Sequence, residues 1–300
     1  MNGHGDHAPV VVGVDGSASA RDALDWAAAE AAVRARPLWI VHACPPPVDP
    51  GLLGQVPRLG EGAADAGVLR EAARRAQVVA PEVEVTTCLV FGGPAPVILG
   101  QRAELVVVGS RGLGGLRGAL AGSVSVTVSA HAACPVVVVP PLRDVAPGPS
   151  RARVVVGVDG SDLSGPAIGF ALRAAVRRGI GLTALHAWTP RPPADLGGLG
   201  DDETAAEAVE RRRLDDALAR WREWFPAVDI ASKLVRGDPA HALAAESAGA
   251  ALTVVGSQGR GCMTGILFGS ISHTVLRNAH SPIAVVRPQP VKDHRRARAP

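Results

Sequence analysis

Lysine is nearly missing from the 300 residues: only Lys233 and Lys292 carry it, and neither stands in a glycine-rich segment. The familiar phosphate loop ends Gly-Lys-Ser/Thr, so the standard ATPase motif is excluded, and with it a catalytic lysine in any glycine loop. Cysteine is scarce too. Cys44, Cys88, Cys134 and Cys262 show no CxxC spacing and lie in or beside apolar segments, which predicts reduced, packed thiols rather than a disulfide framework or a zinc site, and points to the cytoplasm. No apolar run approaches the ~18 residues of a membrane span, and the start MNGHGDHAPV has no basic stretch followed by an apolar core. His4, Asp6 and His7 have no further ligand nearby and read as a polar terminus rather than a metal site. Charge of one sign is also lacking. The net charge is +3 with both signs interspersed, which argues against a nucleic-acid surface, and the basic run from His294 to Arg298 reads as a solvated tail.

What is present is a repeat. VVVGVDGS at 10–17 returns at 154–161, an offset of 144; VVVGSRG at 106–112 returns as TVVGSQG at 253–259, an offset of 147, and Gly122-Ser123 returns as Gly269-Ser270. CPVVVVP at 134–140 is matched by SPIAVVRP from 281. The chain is a tandem duplication, with a first domain at 1–143, a linker at 144–150 inside the Pro/Gly/Arg-rich stretch RDVAPGPSRAR, a second domain at 151–290 and a basic tail at 291–300. An apolar content of 47% is enough for two cores.

Within a copy, short β-branched runs alternate with Ala/Arg/Glu-rich stretches of helical period. In the first copy the pattern predicts strands at Val10–Val14, Leu38–His42, Val83–Val90, Leu105–Val108 and Val136–Val139, and a helix from Ala20 to Arg36 that Pro37 stops. Continuous rather than alternating apolar strands imply a parallel sheet covered on both faces. The expected fold is α/β: two tandem doubly wound, Rossmann-like domains, each with a five-stranded parallel sheet. Ligands of such sheets sit beyond the carboxyl ends of the strands, where VGVDGS and VVVGSRG both lie. The final strands, Val136–Val139 and Ile283–Val286, are apolar throughout and would be exposed edges if left alone, so they are expected to pair across a pseudo-two-fold axis.

Glycines between a strand and a helix let backbone N–H groups approach an anion. The dinucleotide fingerprint fails, because its third glycine falls on Arg117. The spacing present is Gly109, two residues, Gly112, nine residues, Gly122-Ser123, repeated as Gly256, Gly259 and Gly269-Ser270. This spacing, together with the aspartate after strand one in both copies, resembles the nucleotide-binding pattern of the ATP-binding class of the universal stress protein family. The resemblance covers nearly the whole chain as two domains and implies the adenine nucleotide alpha hydrolase-like version of the Rossmann-like fold.

Physically, the helices opened by Gly122 and Gly269 offer free amides to phosphate: those of Ser123, Val124 and Ser125, and of Ser270, Ile271 and Ser272. The helix-end field supplies about 0.3–2 kcal/mol, so the serine hydroxyls must add hydrogen bonds. Gly109, Ser110, Arg111 and Gly112, with Gly256, Ser257, Gln258 and Gly259, form the loop that would pass beneath ribose and phosphates. The resemblance places Asp15 and Asp159 on ribose or on an associated metal ion, with Mg as the expected companion of ATP; their alternative role is an Asx-turn or helix cap before Ser17 or Ser161. Gly13 and Gly157 would allow adenine or ribose to approach closely, and Ala43 and Ala187 are candidates for backbone contact with adenine. His42 and His186 recur beside them and read as satisfied structural residues. Arg111 and Arg117 give way to Gln258 and Thr264 in the second loop, where Arg260 is a candidate substitute.

The resemblance implies an ATP-binding regulator of stress response, dormancy or growth, acting through nucleotide-dependent shape on a protein partner, with tandem chains associating as a homodimer. The alternative is an enzyme that hydrolyses ATP or transfers its adenylyl group, which rests on fold analogy alone. Neither glycine loop repeats a carboxylate or histidine able to activate water. The Pro/Gly-rich connections at 45–57 and 189–200 are candidates for gating the site.

Overall fold

The computed structural model describes residues 8–44, 61–112, 122–141, 153–189, 201–257 and 269–288. Ten strands and eight α-helices lie among the described residues. In the first half these are β1 (Val10–Val14), α1 (Ala18–Arg34), β2 (Leu38–Cys44), α2 (Glu61–Val79), β3 (Val85–Phe91), α3 (Pro94–Leu99), β4 (Leu105–Gly109), α4 (Ser123–His131) and β5 (Val136–Val139). The second half repeats them as β6 (Arg153–Gly157), α5 (Gly165–Arg178), β7 (Gly181–Trp188), α6 (Asp201–Trp224), β8 (Ile230–Arg236), α7 (Pro239–Ser247), β9 (Ala250–Gly256), α8 (Ser270–Asn278) and β10 (Ile283–Val286). The loop segments 45–57, 190–200 and 258–268, the linker at 144–150 and the tail at 291–300 lie outside the described residues, as do His4, Asp6, His7, Arg117, Gln258, Gly259, Arg260, Cys262 and Thr264.

Each half is a parallel five-stranded sheet in the order 3-2-1-4-5, and the two join into one ten-stranded sheet, β3-β2-β1-β4-β5-β10-β9-β6-β7-β8. The expected edge pairing is present. β10 runs antiparallel to β5, with Ile283 opposite Val138, Ala284 opposite Val137 and Val285 opposite Val136. Those six side chains are at most 1% exposed, so the join removes both apolar edges from water. The outer strands β3 and β8 are only half covered, with Leu89 and Phe91 exposed on β3.

Successive strand residues point to opposite faces, and each face carries one core that runs through both halves. Val10, Val12 and Val154 belong to the core under α1, α2, α5 and α6, while Val11, Val106 and Val155 belong to the core under α3, α4, α7 and α8. Alanine lines α1 at Ala20, Ala23, Ala27, Ala28 and Ala31, each at most 5% exposed, which seats that helix close to the sheet.

The first helix departs from the sequence expectation of Ala20 to Arg36. Ser17 caps it, its Oγ accepting the Ala20 N–H at 3.1 Å, so the helix starts at Ala18. It ends at Arg34 because Ala35 turns left-handed at φ 50°, two residues before Pro37.

Candidate functional site

The site is built at the carboxyl ends of β1 and β4, and of β6 and β9, which neighbour each other in the sheet. After β1, Asp15 closes an Asx-turn: its Oδ1 accepts the Ser17 N–H at 2.9 Å, and Gly16 sits at φ 82°. Asp159 does more. Its Oδ1 accepts from the Ser161 N–H at 2.9 Å, the Ser161 hydroxyl at 2.6 Å and the Ser164 hydroxyl at 2.7 Å, holding a short 3-10 turn, Asp162–Ser164, ahead of α5. The turn role foreseen for both aspartates is therefore real. It leaves Asp15 facing the glycine loop: a Cβ on Gly112 would lie 2.8 Å from Asp15 Oδ2.

After β4 the chain turns a fixed corner. Ser110 N–H donates to Val139 O at 2.9 Å, and Gly122 N–H donates back to Ser110 O at 2.7 Å, clamping the start of α4 to the end of the strand. The second half repeats the corner, Ser257 N–H to Val286 O at 2.9 Å and Gly269 N–H to Ser257 O at 3.1 Å. Gly122 and Gly269 are the N-cap residues, and neither helix start has a side-chain cap. The first helical bonds are Val126 N–H to Gly122 O and His273 N–H to Gly269 O, so the amides of Ser123, Val124 and Ser125, and of Ser270, Ile271 and Ser272, precede the helical ladder. Ser123 and Ser270 are exposed. Arg111 and Gly112 are exposed beside them, whereas Ser110 and Ser257 are buried at the corner. The Ser257 hydroxyl is buried with no partner.

Several of these residues also have a role within the protein. Gly109 is needed inside the protein: a Cβ there would stand 2.8 Å from the backbone of Ser19 and 2.6 Å from its Oγ. Ser19, which the sequence did not single out, also accepts the Arg111 N–H at 3.3 Å. Gly13 leaves room for Ile98 of α3, whose Cδ1 lies 2.6 Å from a built Cβ, and Gly157 does the same for Leu243 of α7 at 3.0 Å. The hydroxyls of Ser125 and Ser272 are engaged within the protein. The Ser125 hydroxyl donates to Gly122 O and that of Ser272 to Gly256 O, both at 2.8 Å, and both residues are buried.

At the ends of β2 and β7, Ala43 and Ala187 are half-buried and pack against the core under α3 and α7. The adjoining histidines are satisfied on both nitrogens. His42 Nδ1 meets Val14 O at 2.7 Å and Nε2 meets Asp65 Oδ1 at 3.1 Å; His186 Nδ1 meets Val158 O at 2.6 Å and Nε2 meets Glu210 Oε2 at 3.1 Å. A carbonyl only accepts, so Nδ1 is a donor in each ring. Asp65 and Glu210 were legible only as acids at matching places in the two crossover helices. Among the described residues no group of three or more His, Cys, Asp or Glu could hold a metal ion.

The fold and these corners define a duplicated, doubly wound α/β protein with one strand-to-helix glycine site per half. The Universal stress protein family matches residues 8–140 and again 151–287. Universal stress protein Rv2005c of Mycobacterium tuberculosis is 39% identical over 287 residues, spanning 93% of this chain and 96% of its own. Rv2623, a universal stress protein of the same organism, is 38% identical over 288 residues with the same coverage. A solved universal stress protein from Archaeoglobus fulgidus DSM 4304 superposes with a TM-score of 0.64 at 20% identity, over 94% of this chain and 97% of that one, a likeness of fold. The chain belongs to the universal stress protein family, as two of its domains in tandem. No helix among the described residues is long and apolar enough to cross a membrane.

Proposed function

We propose that each half binds an adenine nucleotide, ATP with magnesium, and that occupancy sets the affinity of the chain for a regulatory protein partner and for a second copy of itself. The observation that carries this is the pair of uncapped helix starts, α4 and α8, each clamped to its strand end by a glycine amide. Three amides per helix precede the helical ladder, and phosphate oxygens would satisfy them. The buried, unpartnered Ser257 hydroxyl at the second corner fits the same ligand. Asp15 stands over Gly112, where a ribose hydroxyl would meet a carboxylate. Magnesium would be held chiefly by phosphate oxygens and water, with at most one carboxylate from each half, its usual mode with nucleotides. Enzymatic hydrolysis or adenylyl transfer gains no support from His42 and His186, since both rings are engaged by a backbone carbonyl and a carboxylate.

Calorimetric titration of the full chain with ATP and magnesium tests the reading. Up to two sites per chain are expected, and thermal unfolding at 100 times the dissociation constant should show about 2.7 kcal/mol of stabilisation. Absence of any adenine-nucleotide binding would overturn it.

A further inference from the structure

On the helical face of the seam, α1 meets α5, and positive charge exceeds what the carboxylates there can answer. Glu30 is 2% exposed and Arg34 9%. The oxygens of Glu30 accept from Arg34 Nε at 2.6 Å and from Arg178; those of Glu104 accept from Arg34 Nη1 at 2.9 Å and from Arg36 Nε at 2.5 Å. Three arginines thus occupy all four oxygens. Arg34 Nη2 is left buried with no partner among the described residues.

Arg173 and Arg177 stand one turn apart on the exposed side of α5 and make no ion pair with a described residue. Although both residues are exposed, their stems are partly covered; this partial desolvation, and next the charge of Arg34, shifts both guanidiniums downward, against the pull of Glu104 and, for Arg177, of Glu30. Arg173 and Arg177 thus add two exposed guanidiniums within electrostatic reach of Arg34, whose carboxylate partners Glu30 and Glu104 already serve three arginines. Duplication does not explain the surplus, because at the offset of 144 the first half has Ala29 and Val33 in the places of Arg173 and Arg177. Screening by bulk salt would suffice for either exposed arginine alone, but it leaves the buried nitrogen of Arg34 unanswered.

We infer that this cluster is a binding site for a small multivalent oxyanion of the phosphate class, gripped by Arg173 and Arg177 over the positive field of Arg34, Arg36 and Arg178. Guanidinium is the group suited to such a ligand, since it gives paired N–H donors and stays charged. The ligand would bridge the halves, because Arg34 and Arg36 belong to the first and the other three to the second. None of these residues belongs to the glycine loops, so the site is separate from the one proposed for nucleotide.

The test is thermal unfolding of the nucleotide-free full chain in sodium phosphate against sodium chloride of matched ionic strength. A saturable rise in Tm is expected, by about 5 °C at 100 times the dissociation constant. Arg173→Gln/Arg177→Gln, altered only on the surface, should lose that rise and be at least as stable as the parent without phosphate, since the removed charges repel Arg34. No effect of phosphate beyond ionic strength overturns the site. An equal rise in the double variant also overturns it, moving the anion to the glycine loops, and a response to polyglutamate without one to phosphate overturns the ligand class in favour of an acidic polypeptide.

Discussion

Arg34 of the first half lies over the ring of Phe170 in the second, its guanidinium carbon 5.4 Å from the ring centroid. The pseudo-two-fold operation repeats the contact with Arg178 over Trp26 at 6.0 Å. Two helices that would otherwise cover separate domains are locked together by reciprocal cation–π contacts, each worth about 0.5–2 kcal/mol according to its desolvation. Glu30 lies between the two arginines and accepts from both.

Removing that carboxylate should be costly. Glu30→Ala leaves Arg34 and Arg178 facing each other in a site where Arg34 is 9% exposed, and truncating one partner of a buried pair costs about 3–5 kcal/mol. Urea unfolding of the parent and variant measures it; a loss below about 1 kcal/mol would mean that water reaches the seam.

Glu104 makes the same region sensitive to acid. Burial opposes its ionisation, but the hydrogen bonds from Arg36 and Arg34 win and hold its carboxyl below the usual glutamate range. Because the folded-state value is the lower one, the pairing contributes in full above the unfolded value near ~4.3 and fades as pH falls through the folded value. The urea midpoint of the parent should therefore drop more steeply between pH 6 and about 3 than that of Glu104→Gln. Parallel pH profiles for the two proteins would contradict the assignment.

The glycines of the two corners should respond differently to a methyl group. Gly109→Ala places carbon 2.8 Å from the Ser19 backbone, an overpacking expected to cost about 1–3 kcal/mol. Gly269→Ala meets Ser257 O at 3.5 Å and Ser272 Oγ at 3.8 Å, both ordinary contacts, so stability should stay within about 0.5 kcal/mol. Nucleotide affinity of the second half should fall all the same, as the methyl group crowds the uncapped amides. Thermal unfolding separates the stabilities, and calorimetry with ATP reads the affinity.

Ala35 offers a gain. It ends α1 at φ 50°, a conformation unfavourable for any residue with a side chain by about 1–2 kcal/mol, and its counterpart at the end of α5 is Gly179 at φ 62°. Ala35→Gly should stabilise the protein by about 0.5–1 kcal/mol after allowing for the greater freedom of glycine in the unfolded chain. An unchanged or lower Tm would show that the turn is not strained.

The sequence alone carried the duplication, the α/β class, and the five strands of the first half: β1 and β5 agree residue for residue, and the others differ only at their ends. Those are local properties, set by runs of β-branched residues and by the period of the helices between them. The aspartate turns and the satisfied histidines were also legible, since Asp-Gly-Ser and a histidine at a strand end each have a local hydrogen-bonding role. Tertiary structure decided what lies against what. Gly13, Gly109 and Gly157 read from sequence as places of close approach, and the fold packs Ile98, Ser19 and Leu243 against them, because a missing side chain admits any close neighbour, protein or nucleotide. The charge cluster of Glu30, Arg34, Arg36, Glu104 and Arg178 joins residues from both halves and has no sequence signature, as it exists only once β5 pairs with β10 and brings α1 against α5. Periodicity can name the faces that must be buried, but the choice of partner across the seam depends on shape and charge complementarity between segments distant in the chain.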